Sequence, residues 1–82
     1  MKKFNLALIA HDSKKEDMVQ LVKAYYEDLA EANIVATRST GQMVHARTEL
    51  PVTLLKSGPM GGDQQIGALV ADGQIDAVIF LR

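Results

Sequence analysis

Four short apolar runs, Phe4–Ala10, Ile34–Thr37, Val52–Leu55 and Ile75–Leu81, alternate along the chain with segments of helical pattern or turn-forming composition. The first run lacks the every-second-residue polarity of a half-exposed strand and fits a strand covered on both faces. Ser13-Lys14-Lys15-Glu16 fits the capping box, in which a Ser hydroxyl and a Glu carboxylate satisfy free N–H groups at a helix start. Beyond it Met18, Leu21, Val22, Tyr25, Leu29 and Ala32 recur at spacings of three and four, which predicts one helix with those residues on its inner face. Asn33 closes that helix. Arg38-Ser39-Thr40-Gly41 reads as a polar turn, and a shorter helix is expected from Gln42 to Thr48. Ser57 through Asp63 carries enough Gly and Pro to read as loop. Gln64–Ala71 reads as a third helix, with Asp72-Gly73 as its stop. The order βαβαβαβ with short connections predicts a single α/β domain, a three-layer Rossmann-like parallel sheet with helices on both faces.

Composition narrows the function classes. Nine Lys and Arg against ten Asp and Glu give the 82 residues a formal charge of −1 at pH 7, so bulk attraction offers nothing to a nucleic acid. The chain has no cysteine, which removes disulfides, thiolate zinc sites and cysteine nucleophiles and fits a cytoplasmic location. No apolar run approaches the roughly 20 residues that cross a bilayer. The Lys2-Lys3 start lacks the cleavage pattern of a signal peptide, so neither a membrane partner nor secretion is expected. Two histidines and scattered acids show no metal-ligand spacing.

The polar, turn-forming clusters follow the first three strands, and a parallel sheet puts all of them on one edge. They are His11-Asp12 with Lys15, then Thr37 with Ser39, Thr40 and Gly41, then Ser57-Gly58 through Asp63. Hydroxyls, glycine N–H groups, a lysine and helix N-termini together form an anion pocket, for which phosphate is the natural guest. Asp12 and Asp63 are not needed to hold an anion and by themselves repel one. Carboxylates beside a phosphate site point to proton transfer on a phosphorylated substrate. Plainer roles exist for each: Asp12 as a turn former, Lys15 as solvated surface, the Thr and Ser residues as caps, Asp63 as a helix N-cap. His45 lies inside an expected helix, away from that edge, and reads as structural. The glycine-rich loop is neither a Walker A motif nor GxGxxG.

Ser57-Gly58-Pro59-Met60-Gly61-Gly62-Asp63-Gln64-Gln65-Ile66-Gly67-Ala68 resembles the signature of the methylglyoxal synthase family. Ala7-Leu8-Ile9-Ala10-His11-Asp12 with Lys15 resembles that family's first strand and loop. Ala36-Thr37-Arg38-Ser39-Thr40-Gly41 resembles its phosphate loop. The resemblance implies conversion of dihydroxyacetone phosphate to methylglyoxal and inorganic phosphate, without metal or organic cofactor, in a cytoplasmic homohexamer. By the same resemblance Asp63 is the base that removes a C3 proton. Lys15, Thr37, Ser39, Thr40, Ser57 and Gly58 hold the phosphate, with His11 and Asp12 in the active site. The family continues past the strand matching Ile75–Leu81 with an Asp-Pro, a catalytic histidine, a further aspartate and more helix and strand. The chain is therefore expected to be the amino-terminal portion of such an enzyme, with an uncovered sheet edge. The competing expectation is a non-catalytic module of the same fold that binds phosphate or a phosphorylated metabolite. A phosphoacceptor receiver domain fits less well, because it needs an acidic pair after the first strand and an Asp after the third.

Overall fold

A computed structural model describes residues 3–82, so Lys2, half of the dipeptide weighed above as a signal start, lies outside the described residues. Strands β1 (Asn5–Ala10), β2 (Asn33–Ala36), β3 (Thr53–Leu54) and β4 (Ala77–Leu81) form one sheet in the order β3-β2-β1-β4. Every pairing is parallel, with Leu6 beside Ile34 and Ala77, and Leu8 beside Ala36 and Ile79. Helices α1 (Lys15–Ala24), α2 (Tyr26–Leu29), α3 (Arg38–Thr48) and α4 (Gly62–Ala71) connect the strands, with 3-10 turns at Asp12–Lys14 and Gly58–Met60.

Strand β1 is central and buried from Leu6 to Ala10. Its successive side chains point to opposite faces and so serve two cores. Leu6, Leu8 and Ala10 pack with Met18, Val19 and Val22 of α1 and Val44 of α3, while Ala7 and Ile9 pack with Ile66 of α4. Helices α1 and α3 thus cover one face, with Leu29 of α2 against the same core, and α4 covers the other, which is the expected three-layer α/β arrangement. Gly41 lets α3 lie close against the sheet. A Cβ there would collide with the Leu54 side chain and stand 3.2 Å from both Ala36 and Val52. The α4 face is unevenly covered: Val78 and Phe80 of β4 are 41% and 44% exposed. Among the described residues β4 pairs only with β1.

Several local expectations are corrected. The capping box does not form, because Ser13 sits inside the 3-10 turn and no side chain caps that turn or α1. The Glu16 carboxylate is engaged elsewhere, accepting two hydrogen bonds from the Arg47 guanidinium at 2.8 and 3.1 Å, which ties α1 to α3. The single helix expected through Ala32 breaks at Tyr25, whose φ of −113° and ψ of 28° leave the helical region. Tyr25 is 59% exposed and Val19 takes the inner place instead. The polar turn Arg38–Gly41 is the first turn of α3, and the glycine-rich loop is half helical, with Gly58–Met60 in a 3-10 turn and Gly62 opening α4. His45 is structural as read: its Nδ1 lies 2.7 Å from the Leu50 carbonyl, at the end of α3.

The Arg47 hydrogen bond holds the Glu16 carboxyl below its ordinary pKa. A carboxyl lowered by folding contributes stability above its unfolded pKa, and the contribution fades as pH falls through the folded value. Thermal melting followed from about pH 7 to about pH 2 is therefore expected to show a smaller acid-side loss in Glu16→Gln than in the unaltered chain. Superimposable acid limbs would show that the pair contributes nothing.

Candidate functional site

All four strands run the same way, so their carboxyl ends share one edge, and β1 lies between β2 and β4 where the chain crosses over the sheet. Such a crossover leaves a crevice between diverging connections. A cavity of about 510 Å³ opens there, and His11, Asp12, Lys15, Thr37, Ser39, Ser57, Gly58 and Asp63 all line it. The three polar clusters, separated by as many as 52 positions from His11 to Asp63, therefore meet in one place. Thr40 does not line the cavity.

Each side chain is placed by its element. Lys15 is the first residue of α1; its Nζ donates to the Ala10 carbonyl at 3.2 Å and to the Asp12 carboxylate at 2.6 Å. That hydrogen bond, and then the lysine charge, hold the Asp12 carboxyl below the usual carboxylate range. Thr37 follows β2 directly and stands at the N-cap of α3 in extended conformation. Its hydroxyl donates to Thr40 Oγ1 at 3.4 Å, and Thr40 Oγ1 donates in turn to the Ala10 carbonyl at 3.5 Å. Thr40, 1% exposed, thus supports the cavity wall from beneath.

The third wall comes from the stretch between β3 and α4. Ser57 holds a tight turn, its carbonyl accepting from the N–H groups of Met60 at 3.0 Å and Gly62 at 2.8 Å. Gly61 sits at φ +98°, a left-handed conformation that favours glycine. Asp63 lies in the first turn of α4 rather than at its cap, which is Gly61. A methyl group added at Gly58 would stand 3.5 Å from Asp63 Oδ1, so the Asp63 carboxylate and the Gly58 backbone are immediate neighbours. No side chain caps α3, α4 or the Gly58 turn. The N-terminal ends of α3 and α4 therefore offer N–H donors and partial positive charge at the cavity edge.

Two further wall elements had no mark in the sequence reading. The Ala10 carbonyl fixes both Lys15 and Thr40, a backbone role that no residue type announces. Phe80 closes the β4 side of the cavity and stacks on the His11 ring, with centroids 6.1 Å apart and planes at 29°. Its place at the carboxyl end of the fourth strand was the available signal. Among the described residues no group of three or more His, Cys, Asp or Glu side chains is arranged to hold a metal ion. No helix among them is long and apolar enough to cross a membrane.

Fold and site together define a parallel α/β domain with a small cavity at its strand ends, lined by one lysine and two carboxylates. The chain belongs to the MGS-like domain family, whose sequence model matches residues 17–82. It is 56% identical over 77 residues to the methylglyoxal synthase of Bacillus licheniformis, covering 94% of this chain and 56% of that protein. Against the methylglyoxal synthase of Bacillus subtilis the identity is 53% over 77 residues, with the same coverage. The solved structure of methylglyoxal synthase from Elizabethkingia anophelis superimposes with a TM-score of 0.94 at 41% identity, covering 98% of this chain and 53% of that one. The chain thus spans about half the length of the relatives it matches.

Proposed function

We propose that the cavity binds dihydroxyacetone phosphate and that the chain's machinery turns it into methylglyoxal and inorganic phosphate, a carbon–oxygen lyase reaction. The observation that carries this reading is the Asp63 carboxylate beside Gly58 in the same cavity as Lys15 and the Thr37, Ser39 and Ser57 hydroxyls. A base and an anion site sharing one cavity suit a small phosphate ester with an acidic C–H. The relatives' name supports the product.

In this reading Lys15, Thr37, Ser39, Ser57 and the Gly58 backbone hold the phosphate, with Thr40 bracing Thr37. Asp63 removes a proton from C3, leaving an enediolate across C2 and C3. The developing oxyanion needs fixed donors, a role open to the His11 imidazole in the cavity lining. The C1–O bond to phosphate then breaks, its electron pair leaving with phosphate, and the enol that remains tautomerises to methylglyoxal. Elimination requires that bond to stand perpendicular to the enediolate plane, where its antibonding orbital overlaps the π system. Phosphate contacts thereby set the outcome as well as the affinity. Asp12, counted by the resemblance with the catalytic residues, stands at the cavity edge and acts in this scheme through its contact with Lys15. No metal or organic cofactor enters this scheme, and a cytoplasmic homohexamer remains the assembly proposed from the resemblance.

Incubation of dihydroxyacetone phosphate with the chain joined to the carboxyl-terminal remainder of the Bacillus subtilis relative, of which the match covers 56%, tests the reading: methylglyoxal and phosphate are expected in equal amounts. Phosphate binding without either product would favour the non-catalytic module. Lys15→Met is expected to weaken binding of inorganic phosphate at least about ten-fold, since hydrogen bonds to charged groups contribute about 1.5–3 kcal/mol. Calorimetric titration of the two proteins checks it, and equal affinities would take Lys15 out of the anion site.

A further inference from the structure

The cavity holds its cation already paired. Lys15 is the one Lys or Arg among the lining residues, and its ammonium donates to both the Asp12 carboxylate and the Ala10 carbonyl. These two acceptors are held very differently. The Ala10 carbonyl belongs to the central strand and also receives the Thr40 hydroxyl, so it cannot leave. The Asp12 side chain is 100% exposed, whereas that of Lys15 is 14% exposed. Asp12 can swing into water without loss of packing, and Lys15 cannot follow it.

An incoming phosphate needs the same ammonium. The lining sets two carboxyl groups, Asp12 and Asp63, against the single lysine, so a phosphate dianion beside an unmoved Asp12 carboxylate meets like-charge repulsion at close range. Resting on the phosphate reading above, we propose that Asp12 is a stand-in anion, which occupies the Lys15 ammonium in the free cavity and is displaced from it when phosphate arrives. Between ligands the contact keeps the lysine stretched toward the cavity, a form of preorganisation. It also sets a threshold: an anion enters only if it is a better partner for the ammonium than a carboxylate three residues away. A doubly charged phosphate meets that condition and a single weakly held halide does not. Asp12 is in this respect a positioning residue, acting on substrate through Lys15.

Inorganic phosphate titrated calorimetrically into the full 82-residue chain at fixed ionic strength tests the exchange. Asp12→Asn and Asp12→Ala are both expected to bind phosphate about two- to five-fold more tightly than the unaltered chain, the range that loss of a competing exposed ion pair supports. In the unaltered chain the ¹³C carboxyl resonance of Asp12 is expected to move toward that of a free aspartate, with the same midpoint as phosphate binding. That resonance decides the matter even if a substitution disturbs folding. Equal or weaker binding by folded Asp12 variants, or a carboxyl resonance that does not move while phosphate binds, would overturn the exchange and leave the phosphate site standing. Failure of the folded, unaltered chain to bind phosphate would overturn both.

Discussion

Asp63→Asn is expected to lower methylglyoxal formation by about 10²- to 10⁴-fold, the range associated with a positioned general base. The assay suits the chain joined to the carboxyl-terminal remainder of the Bacillus subtilis relative, because the matched region covers 56% of that protein. Asparagine keeps the size and the helix-start position of Asp63 in α4, so folding should be preserved. What it removes is the ability to accept a proton from carbon. Phosphate affinity should hold or rise slightly, since one negative charge leaves the cavity. A fall in turnover with binding intact locates the defect in the chemical step, because an interaction made only in the transition state affects kcat without weakening the ground state. Near-normal turnover would take Asp63 out of the mechanism.

Gly62→Ala is expected to destabilise the fold by about 3 kcal/mol, at the upper end of what forced overpacking costs. A Cβ at Gly62 would drive into the Lys56 carbonyl oxygen and stand 3.0 Å from that of Ser57. Neither carbonyl can move freely. The Lys56 N–H donates to Gln65 Oε1 at 2.7 Å, and the Ser57 carbonyl already accepts from Gly62 and Met60. Relief therefore means shifting the Ser57–Gly58 wall, so phosphate binding should weaken together with stability. Gly67 is the internal control, since a Cβ there meets nothing within 4 Å. Gly67→Ala should gain up to about 1 kcal/mol from helix propensity. Urea unfolding of the three proteins checks both values, and a Gly62→Ala midpoint equal to that of the unaltered chain would refute the close approach.

Both predictions concern residues of the glycine-rich stretch, where sequence reading succeeded and failed for separate reasons. The strands and their succession along the chain were readable, above all β1, which is apolar without alternation, the mark of burial on two faces that the structure shows from Leu6 to Ala10. Helix boundaries were not, because local composition lost to packing. Arg38-Ser39-Thr40-Gly41 has the makeup of a turn, yet Gly41 must be helical for α3 to lie against Leu54 and Ala36. The Ser13–Glu16 box failed likewise. Its glutamate found a better partner in Arg47, 31 residues away, a competition no four-residue window contains.

The candidate site was more legible than the helices, because it depends on which strand ends carry polar residues rather than on where each helix begins. Position after a strand was enough to gather His11, Asp12, Lys15, Thr37, Ser39, Ser57, Gly58 and Asp63 around one cavity. It did not separate Thr40, which has the same composition and neighbourhood but points beneath the wall. Nor did it show that Lys15 is already paired, which depends on the 3-10 turn bringing Asp12 back toward the start of α1.

In the proposed reaction a phosphate ester lies in the strand-end cavity with its carbon end toward Asp63. Titration of the ¹⁵N-labelled chain with dihydroxyacetone phosphate, followed by its backbone amide resonances, tests that directly. The largest saturable shifts are predicted at Ser57, Gly58, Thr37 and Ser39, with Asp63 moving in the same titration. Shifts concentrated away from the carboxyl ends of the strands, or none at saturating ligand in the folded chain, would contradict it.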